Sequence, residues 1–187
     1  MEKLLNGQDV AYDVLHIGYK NGNNIIFGRH DLLSSPMKAH STSNTKVNPM
    51  TCDLGIYLDG TFFESLSQDF QDNIADYEYM SCVGGDDPAL RTSKIWLPLG
   101  YNVMGEMGSF DAKEVTVGGA AQFSYFAVLA HKIKSMEYWT WSGLLFTDSY
   151  STKHYRYCTI TTAGSITNNQ DYNTSHGVLP CFMIDDQ

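Results

Sequence analysis

Two runs of β-prone residues near the beginning of the chain are separated by a turn signal. The first run contains Val10, Tyr12, Val14 and Ile17, and the second covers residues 25–27, with the sequence KNGNN between them. Asn-Gly between two such runs favours a tight turn. The pattern therefore predicts a β-hairpin. The polar stretch that follows, SSPMKAHSTSNTKVNPM, is typical of an ordered surface loop.

A helical period appears in residues 61–76. Apolar residues recur there on one helical face at Phe62, Phe63, Leu66, Phe70 and Ile74. Thr61 and Glu64 have the spacing of a capping box, in which each side chain accepts a hydrogen bond from a backbone N–H at the helix start. The segment is predicted to be one amphipathic helix whose phenylalanines belong to the core.

The middle of the chain gives a weaker signal. The segment SKIWLPLGYNVMGE is a short apolar piece broken by Pro98 and Gly100. Residues 123–135 fit a helix by the spacing of their phenylalanines and alanines, but they also fit an alternating strand. We favour an extended segment with a helical turn.

The last third has the alternation of β-strands. Residues 137–148 are aromatic and apolar, residues 153–171 alternate around a TTAGS turn, and residues 177–184 form a final apolar run, GVLPCFMI. Chain ends usually fray, so an apolar run this close to the end needs burial. It predicts a closing strand that is paired within a sheet.

Composition fits a single globular domain over residues 1–187. The chain is 43% hydrophobic and 18% charged, and its formal net charge is −9. A net acidic chain repels nucleic acids and anionic membranes, so neither is an expected partner. We find no signal peptide and no apolar window long enough to span a membrane, and we expect synthesis in the cytoplasm of the producing cell.

No motif in the chain supports catalysis or cofactor binding. Cys52, Cys82, Cys158 and Cys181 lack zinc-site spacing, so we expect buried reduced thiols, with two disulfides as the alternative in an extracellular setting. The histidines form no His-x-x-x-His pair, and the paired aspartates of GGDDPA and MIDDQ lack the EF-hand pattern. They are expected to be solvated, with calcium binding as the open alternative. We predict no cofactor and no metal.

The stretch FGRHDLLSS contains His30, Asp31 and Ser34. A catalytic triad is assembled across a fold, and this serine lacks a nucleophile-elbow context. We therefore interpret residues 29–31 as the end of a strand that holds the following loop. An enzyme is the weaker class for this chain.

Aromatic residues mixed with Ser, Thr, Asn and Asp in the last third suggest a recognition surface, because rigid amphipathic rings beside small polar groups suit binding. The candidate ligand-binding residues are Trp139, Trp141, Tyr150, Tyr155, Tyr157, Asn169, Tyr172 and Asn173. Replacing Tyr155 or Tyr172 with Ala is expected to reduce ligand binding without unfolding. The alternative is that many of these rings lie in the core.

The order of several short motifs resembles a domain family of unassigned function from gut bacteria and their phages. The matching pieces are VAYDVLHIG, LGIYLDGTFFESLSQDFQDNI, IWLPLGYNVMGE, YWTWSG and GVLPCFMI. Leu179 stands where the family usually has Arg, and Trp141 interrupts the usual YWLRS. The resemblance covers most of the chain.

The resemblance implies an α+β, C-type-lectin-like fold: an antiparallel sheet in which the N- and C-terminal strands pair, with one or two helices. The lectin calcium motifs are missing. The implied function is that of a phage virion protein, on the tail or capsid, that recognises a host-surface glycan or protein and forms a homo-oligomer beside other virion subunits. A structural virion clamp is the alternative, and a cell-wall hydrolase is a weaker one.

Overall fold

The computed structural model describes residues 2–3, 9–19, 22–42, 49–81, 89–105, 122–147 and 153–185. The strands are β1 (Glu2–Lys3), β2 (Asp9–Val10), β3 (Tyr12–Ile17), β4 (Asn24–Arg29), β5 (Met37–Lys38), β6 (Ile74–Ala75), β7 (Tyr77–Ser81), β8 (Ala89–Ser93), β9 (Tyr138–Thr147), β10 (Lys153–Ile160), β11 (Ile166–Gln170), β12 (Ser175–His176) and β13 (Cys181–Asp185). The helices are α1 (Asp53–Tyr57), a π-helical turn (Leu58–Phe62), α2 (Gln68–Asn73), α3 (Gly100–Met104), a 3-10 turn (Ser124–Ala127) and α4 (Leu129–Lys132).

The architecture is mixed α+β with mostly antiparallel sheets, as the sequence predicts. A 4-stranded sheet has the order β3-β4-β13-β6, and a 3-stranded sheet has the order β11-β10-β9. The pairs β7-β8, β12-β5 and β1-β2 form 2-stranded sheets. The predicted first hairpin is confirmed, since β3 and β4 pair antiparallel. Among the described residues, no helix is both long and apolar enough to cross a membrane.

The predicted closing strand is confirmed, but its neighbours differ from the expectation. Strand β13 lies between β4 and β6, with Phe182 opposite Phe27. Phe27 in turn lies opposite Val14 of β3. Direct pairing of the N- and C-terminal strands is therefore wrong: the terminal strand takes a central position, and β3 is one strand away at the sheet edge. The central position gives β13 backbone partners on both sides.

The predicted single helix over residues 61–76 is wrong. Helical structure begins earlier, at Asp53 after the N-cap Cys52, and α2 starts anew after Ser67. The Ser65 hydroxyl donates to the carbonyl of Phe62 at 2.6 Å, which satisfies that carbonyl where the helix is interrupted. The predicted apolar face is confirmed in part, because Phe62, Leu66 and Ile74 are buried in the core.

The segment 123–135 is mostly helical rather than extended. It forms the 3-10 turn and α4, and Val128 between them has extended backbone angles. Phe123 and Phe126 are fully buried, which anchors the turn, whereas Val128 and Leu129 are exposed. The two buried phenylalanines are three residues apart, a spacing that fits a helical turn and not an alternating strand.

The main core is rich in aromatic rings. Tyr77 stacks on Trp96 with 3.8 Å between ring centroids. Cys52, Cys158 and Cys181 are buried free thiols, as expected, and Cys82 lies outside the described residues. Burial raises the pKa of Cys52 to about 12, so this thiol stays protonated and unreactive.

Candidate functional site

Several of the predicted ligand-binding aromatics lie in the core. Trp139, Trp141, Tyr157 and Tyr172 are at most 1% exposed. Their rings contact one another: Tyr157 lies 5.6 Å from Trp141 and 4.8 Å from Tyr172 between centroids. Strand β10 is buried on both faces from Arg156 to Ile160, so alternation there does not mark a half-exposed strand. The hypothesis that these four rings form a recognition surface is therefore wrong: they belong to the core.

The other predicted positions give little support to that surface. Asn173 is exposed beside the buried Tyr172. Tyr150 and the side chains of Tyr155 and Asn169 lie outside the described residues. The expectation that replacing Tyr172 with Ala leaves folding intact does not fit its complete burial.

A polar layer lies behind these rings. Glu137 accepts hydrogen bonds from the Thr159 hydroxyl and, at 3.4 Å, from the Gln170 amide. His176 lies 3.8 Å from the same carboxylate and edge-on to Trp139. Burial lowers the pKa of His176, against the opposing effect of Glu137. These contacts join the residue before β9 to β10, β11 and β12, and we assign the layer a structural role.

A polar cleft of about 290 Å³ lies at another place, where β4 ends against α4. His30, Asp31 and Leu32 line one side, and His131, Ile133 and Lys134 line the other. Its volume is close to the lower end of the range for small-molecule sites, about 300 Å³. Charged, hydrogen-bonding and apolar groups converge in it, and this cleft is our candidate functional site.

One wall of the cleft is held by Asp13 of β3. The Asp13 carboxylate lies 3.0 Å from Nδ1 of His30 and accepts a 2.5 Å hydrogen bond from the Tyr125 hydroxyl. A carboxylate can only accept, so Nδ1 of His30 carries the proton. In the neutral ring, Nε2 is then the acceptor, on a side chain that is 55% exposed.

The opposite wall is held by backbone carbonyls. Nδ1 of His131 lies 2.7 Å from the carbonyl of Tyr125, and the two rings stack with 4.0 Å between centroids. Lys134 donates from Nζ to the carbonyl of His30 at 2.6 Å and so joins the two walls. Burial lowers the pKa of Lys134, while the carboxylates of Asp13 and Asp31 act in the opposite direction. Both walls are pre-organised.

The cleft offers both donors and acceptors. Lys134 supplies an ammonium, Asp31 supplies an exposed carboxylate, and both histidines present Nε2 as an acceptor when neutral. Nδ1 of His30 contacts the carboxylate of Asp13, and this contact orients the ring. The ring is thereby fixed in the wall of a cleft that offers several hydrogen-bonding groups, and such a site can orient a ligand.

A second cavity, of about 430 Å³, is lined by residues of the 4-stranded sheet and by Phe70 of α2. Tyr12, Phe27, Phe70 and Phe182 line it, and Phe182 is the centre of their ring contacts. Its lining side chains are apolar except for the Tyr12 hydroxyl, so they offer few groups that could orient a ligand. We interpret it as packing between α2 and the sheet.

Sequence reasoning singled out His30 but missed its partners. Asp13 precedes His30 by 17 residues, and Tyr125 follows Asp13 by 112. The hairpin register offered one signal: Tyr12 opposes Arg29, which places Asp13 beside the end of β4. No sequence pattern points to Tyr125 or Lys134.

The fold and site define a mixed α+β protein with a pre-organised polar cleft. The family model described as Domain of unknown function (DUF6273) matches residues 23–186, and the chain belongs to that family. The match leaves out β3 and Asp13, which forms part of the cleft. No curated protein and no solved structure matches the chain.

The Asp13 network predicts a pH-dependent stability. Burial would raise the pKa of Asp13, but hydrogen bonds from Tyr125 and His30 outweigh it and lower the pKa. A depressed folded-state pKa contributes stability above the unfolded value, about 3.9, and the contribution is lost as the pH falls through the folded-state pKa. We expect Asp13→Asn to lower the free energy of unfolding by about 1–3 kcal/mol at pH 7.

Urea unfolding of the wild type and Asp13→Asn at neutral pH and near pH 3 measures this effect. The difference between the two proteins should shrink at the lower pH, which lies below the unfolded-state pKa, because there the unfolded wild type binds a proton at Asp13 more readily than the folded protein does. Glu64→Gln, at an exposed carboxylate, is the matched control. A difference that stays constant across this pH range would contradict the prediction.

Proposed function

We propose that this chain is a bacteriophage virion protein, on the tail or capsid, whose C-type-lectin-like domain binds a host-surface glycan or protein without catalysis. The observation that carries the proposal is the polar cleft between His30 and Lys134. Its walls are held by hydrogen bonds to Asp13 and to backbone carbonyls before any ligand arrives. Pre-organisation lowers the entropic cost of binding.

The proposed C-type-lectin-like fold is supported by the mixed α+β architecture and by the pairing of the closing strand with the first hairpin, through β4 rather than β3. The terminal strand β13 lies in the middle of a sheet and closes the domain, while short helices and loops project from it. The phage virion setting rests on the short motifs, such as YWTWSG and GVLPCFMI, that resemble those of phage and gut-bacterial domains. Homo-oligomerisation belongs to the same proposal.

Binding at this cleft is testable on intact cells. We would label the purified protein and measure its binding to a panel of gut-bacterial strains by flow cytometry. The wild type should bind a subset of strains, and Lys134→Met and Asp31→Asn should each bind about tenfold less, because each loses a charge-assisted hydrogen bond. Glu64→Gln should bind like the wild type.

Two outcomes would overturn the proposal. Cell binding that both cleft variants retain would remove the cleft as the binding site. Clearing of host cell wall in a zymogram would replace recognition with hydrolysis, and loss of the clearing in His30→Gln would assign the reaction to this cleft.

A structural clamp between virion subunits is the second candidate. The observation that favours it is the exposure of Val128, Leu129 and Ile133, at 52%, 59% and 45%, around α4. Clustered exposed apolar residues mark interaction surfaces. A particle reconstruction in which a neighbouring subunit covers α4, together with no cell binding, would favour the clamp.

A further inference from the structure

We infer that the His30–Lys134 cleft takes a neutral, hydroxyl-rich sugar unit in preference to an acidic one. This inference rests on the proposed function and narrows its ligand class. The first reason is charge. Lys134 provides the ammonium group of the cleft, and the negative charges of Asp13 and Asp31 interact with it.

An acidic ligand would find little uncompensated positive charge. The charge of Lys134 lies near the carboxylates of Asp13 and Asp31, and the carbonyl of His30 uses one of its three N–H donors. A ligand carboxylate or phosphate would meet the exposed Asp31 carboxylate on a chain whose formal net charge is −9. Like-charge contact of this kind opposes both encounter and binding.

The acceptors provide the second reason. Hydrogen bonds to Asp13 and to the carbonyl of Tyr125 leave Nε2 of His30 and of His131 as acceptors when the rings are neutral. Together with Asp31, these groups require a ligand that brings its own donors. Sugar hydroxyls donate and accept at the same atom, so they can bond to these acceptors and also to the Lys134 ammonium.

The third reason is the size and the apolar part of the cleft. A volume of about 290 Å³ suits a single ring rather than an extended chain. Leu32 and the partly exposed Ile133 add an apolar surface against which the C–H face of a sugar ring can pack. Apolar contact of this kind with a few polar anchors is typical of ligand sites.

The test is saturation-transfer-difference NMR on the full chain with a defined panel. Galactose, mannose, rhamnose and N-acetylglucosamine are the neutral probes. Glucuronate, N-acetylneuraminate and glycerol phosphate are the acidic probes, and glucosamine is the cationic probe. We expect at least one neutral sugar to bind, and Lys134→Met and Asp31→Asn to weaken its binding about tenfold. Glu64→Gln is the matched control.

Each alternative outcome has its own meaning. Tighter binding of acidic probes that is lost in Lys134→Met and improved in Asp31→Asn would overturn the neutral-sugar inference and leave the cleft as a recognition site. Preference for glucosamine would overturn the inference in the same way. Neutral-sugar binding that both variants retain would overturn the inference and the cleft together. No saturation transfer from any probe would overturn the inference, while cell binding still decides the proposed function.

Discussion

Phe182→Ala is expected to lower the free energy of unfolding by about 3–5 kcal/mol, as for other large-to-small changes at buried phenylalanines. Phe182 lies on β13 and is 2% exposed. Its ring lies 5.0 Å from Tyr12, 5.4 Å from Phe27 and 4.8 Å from Phe70 between centroids. Removing it takes away these ring contacts and enlarges the cavity of about 430 Å³ that the four rings already line.

The measurement is urea unfolding monitored by tryptophan fluorescence, with equal slopes required for the comparison. Leu90→Ala is the matched control, because Leu90 is a large apolar residue on a strand but is 56% exposed. We expect the control to change stability by about 0.5 kcal/mol or less. A loss in Phe182→Ala no larger than that in the control would contradict the central role of β13.

The closing segment also supports the cleft. The backbone N–H of Arg29 donates to the carbonyl of Pro180, and that of Leu33 donates to the carbonyl of Val178, each at 3.0 Å. These bonds flank residues 30–32, which form one wall of the cleft. The segment leading into β13 therefore positions the candidate binding groups as well as closing the fold.

Local sequence signals predicted the parts of the fold whose causes are local. The Asn-Gly turn signal predicted the β3–β4 hairpin, and the apolar end predicted a paired closing strand. The helix over 61–76 was misjudged because the periodic apolar face continues through the interruption around Ser65 and Ser67. Periodicity reports which residues are buried more reliably than it reports where the backbone changes conformation.

The candidate site could not be predicted in the same way. Its network joins β3, the end of β4 and the segment from Tyr125 to Lys134, which are far apart in sequence. Only tertiary folding brings these groups together. Composition in turn misled the choice of aromatics, because tyrosine and tryptophan suit both a binding surface and a core. Burial, which distinguishes the two, depends on whether a second layer covers the sheet.

Trp139→Ala is expected to destabilise the fold by about 3–5 kcal/mol rather than to remove a binding surface. Trp139 is fully buried on β9, and its Nε1–H donates to the carbonyl of Met37 at 2.8 Å. Its ring also lies 4.6 Å from His176 between centroids. The substitution removes a large side chain and leaves a carbonyl of β5 without its donor.

Two comparison variants are informative. One separates the contribution of the Trp139 ring from that of its hydrogen bond, and the other compares a buried position with an exposed one. Trp139→Phe keeps an aromatic ring but loses the donor, and we expect a smaller loss of about 1–3 kcal/mol. Asn173→Ala, at an exposed position of the same predicted surface, should change stability by about 0.5 kcal/mol or less. Urea unfolding gives all three values. If Trp139→Ala kept wild-type stability and lost cell binding, the aromatic surface of the last third would replace the cleft as the recognition site, because a core ring cannot be removed without cost.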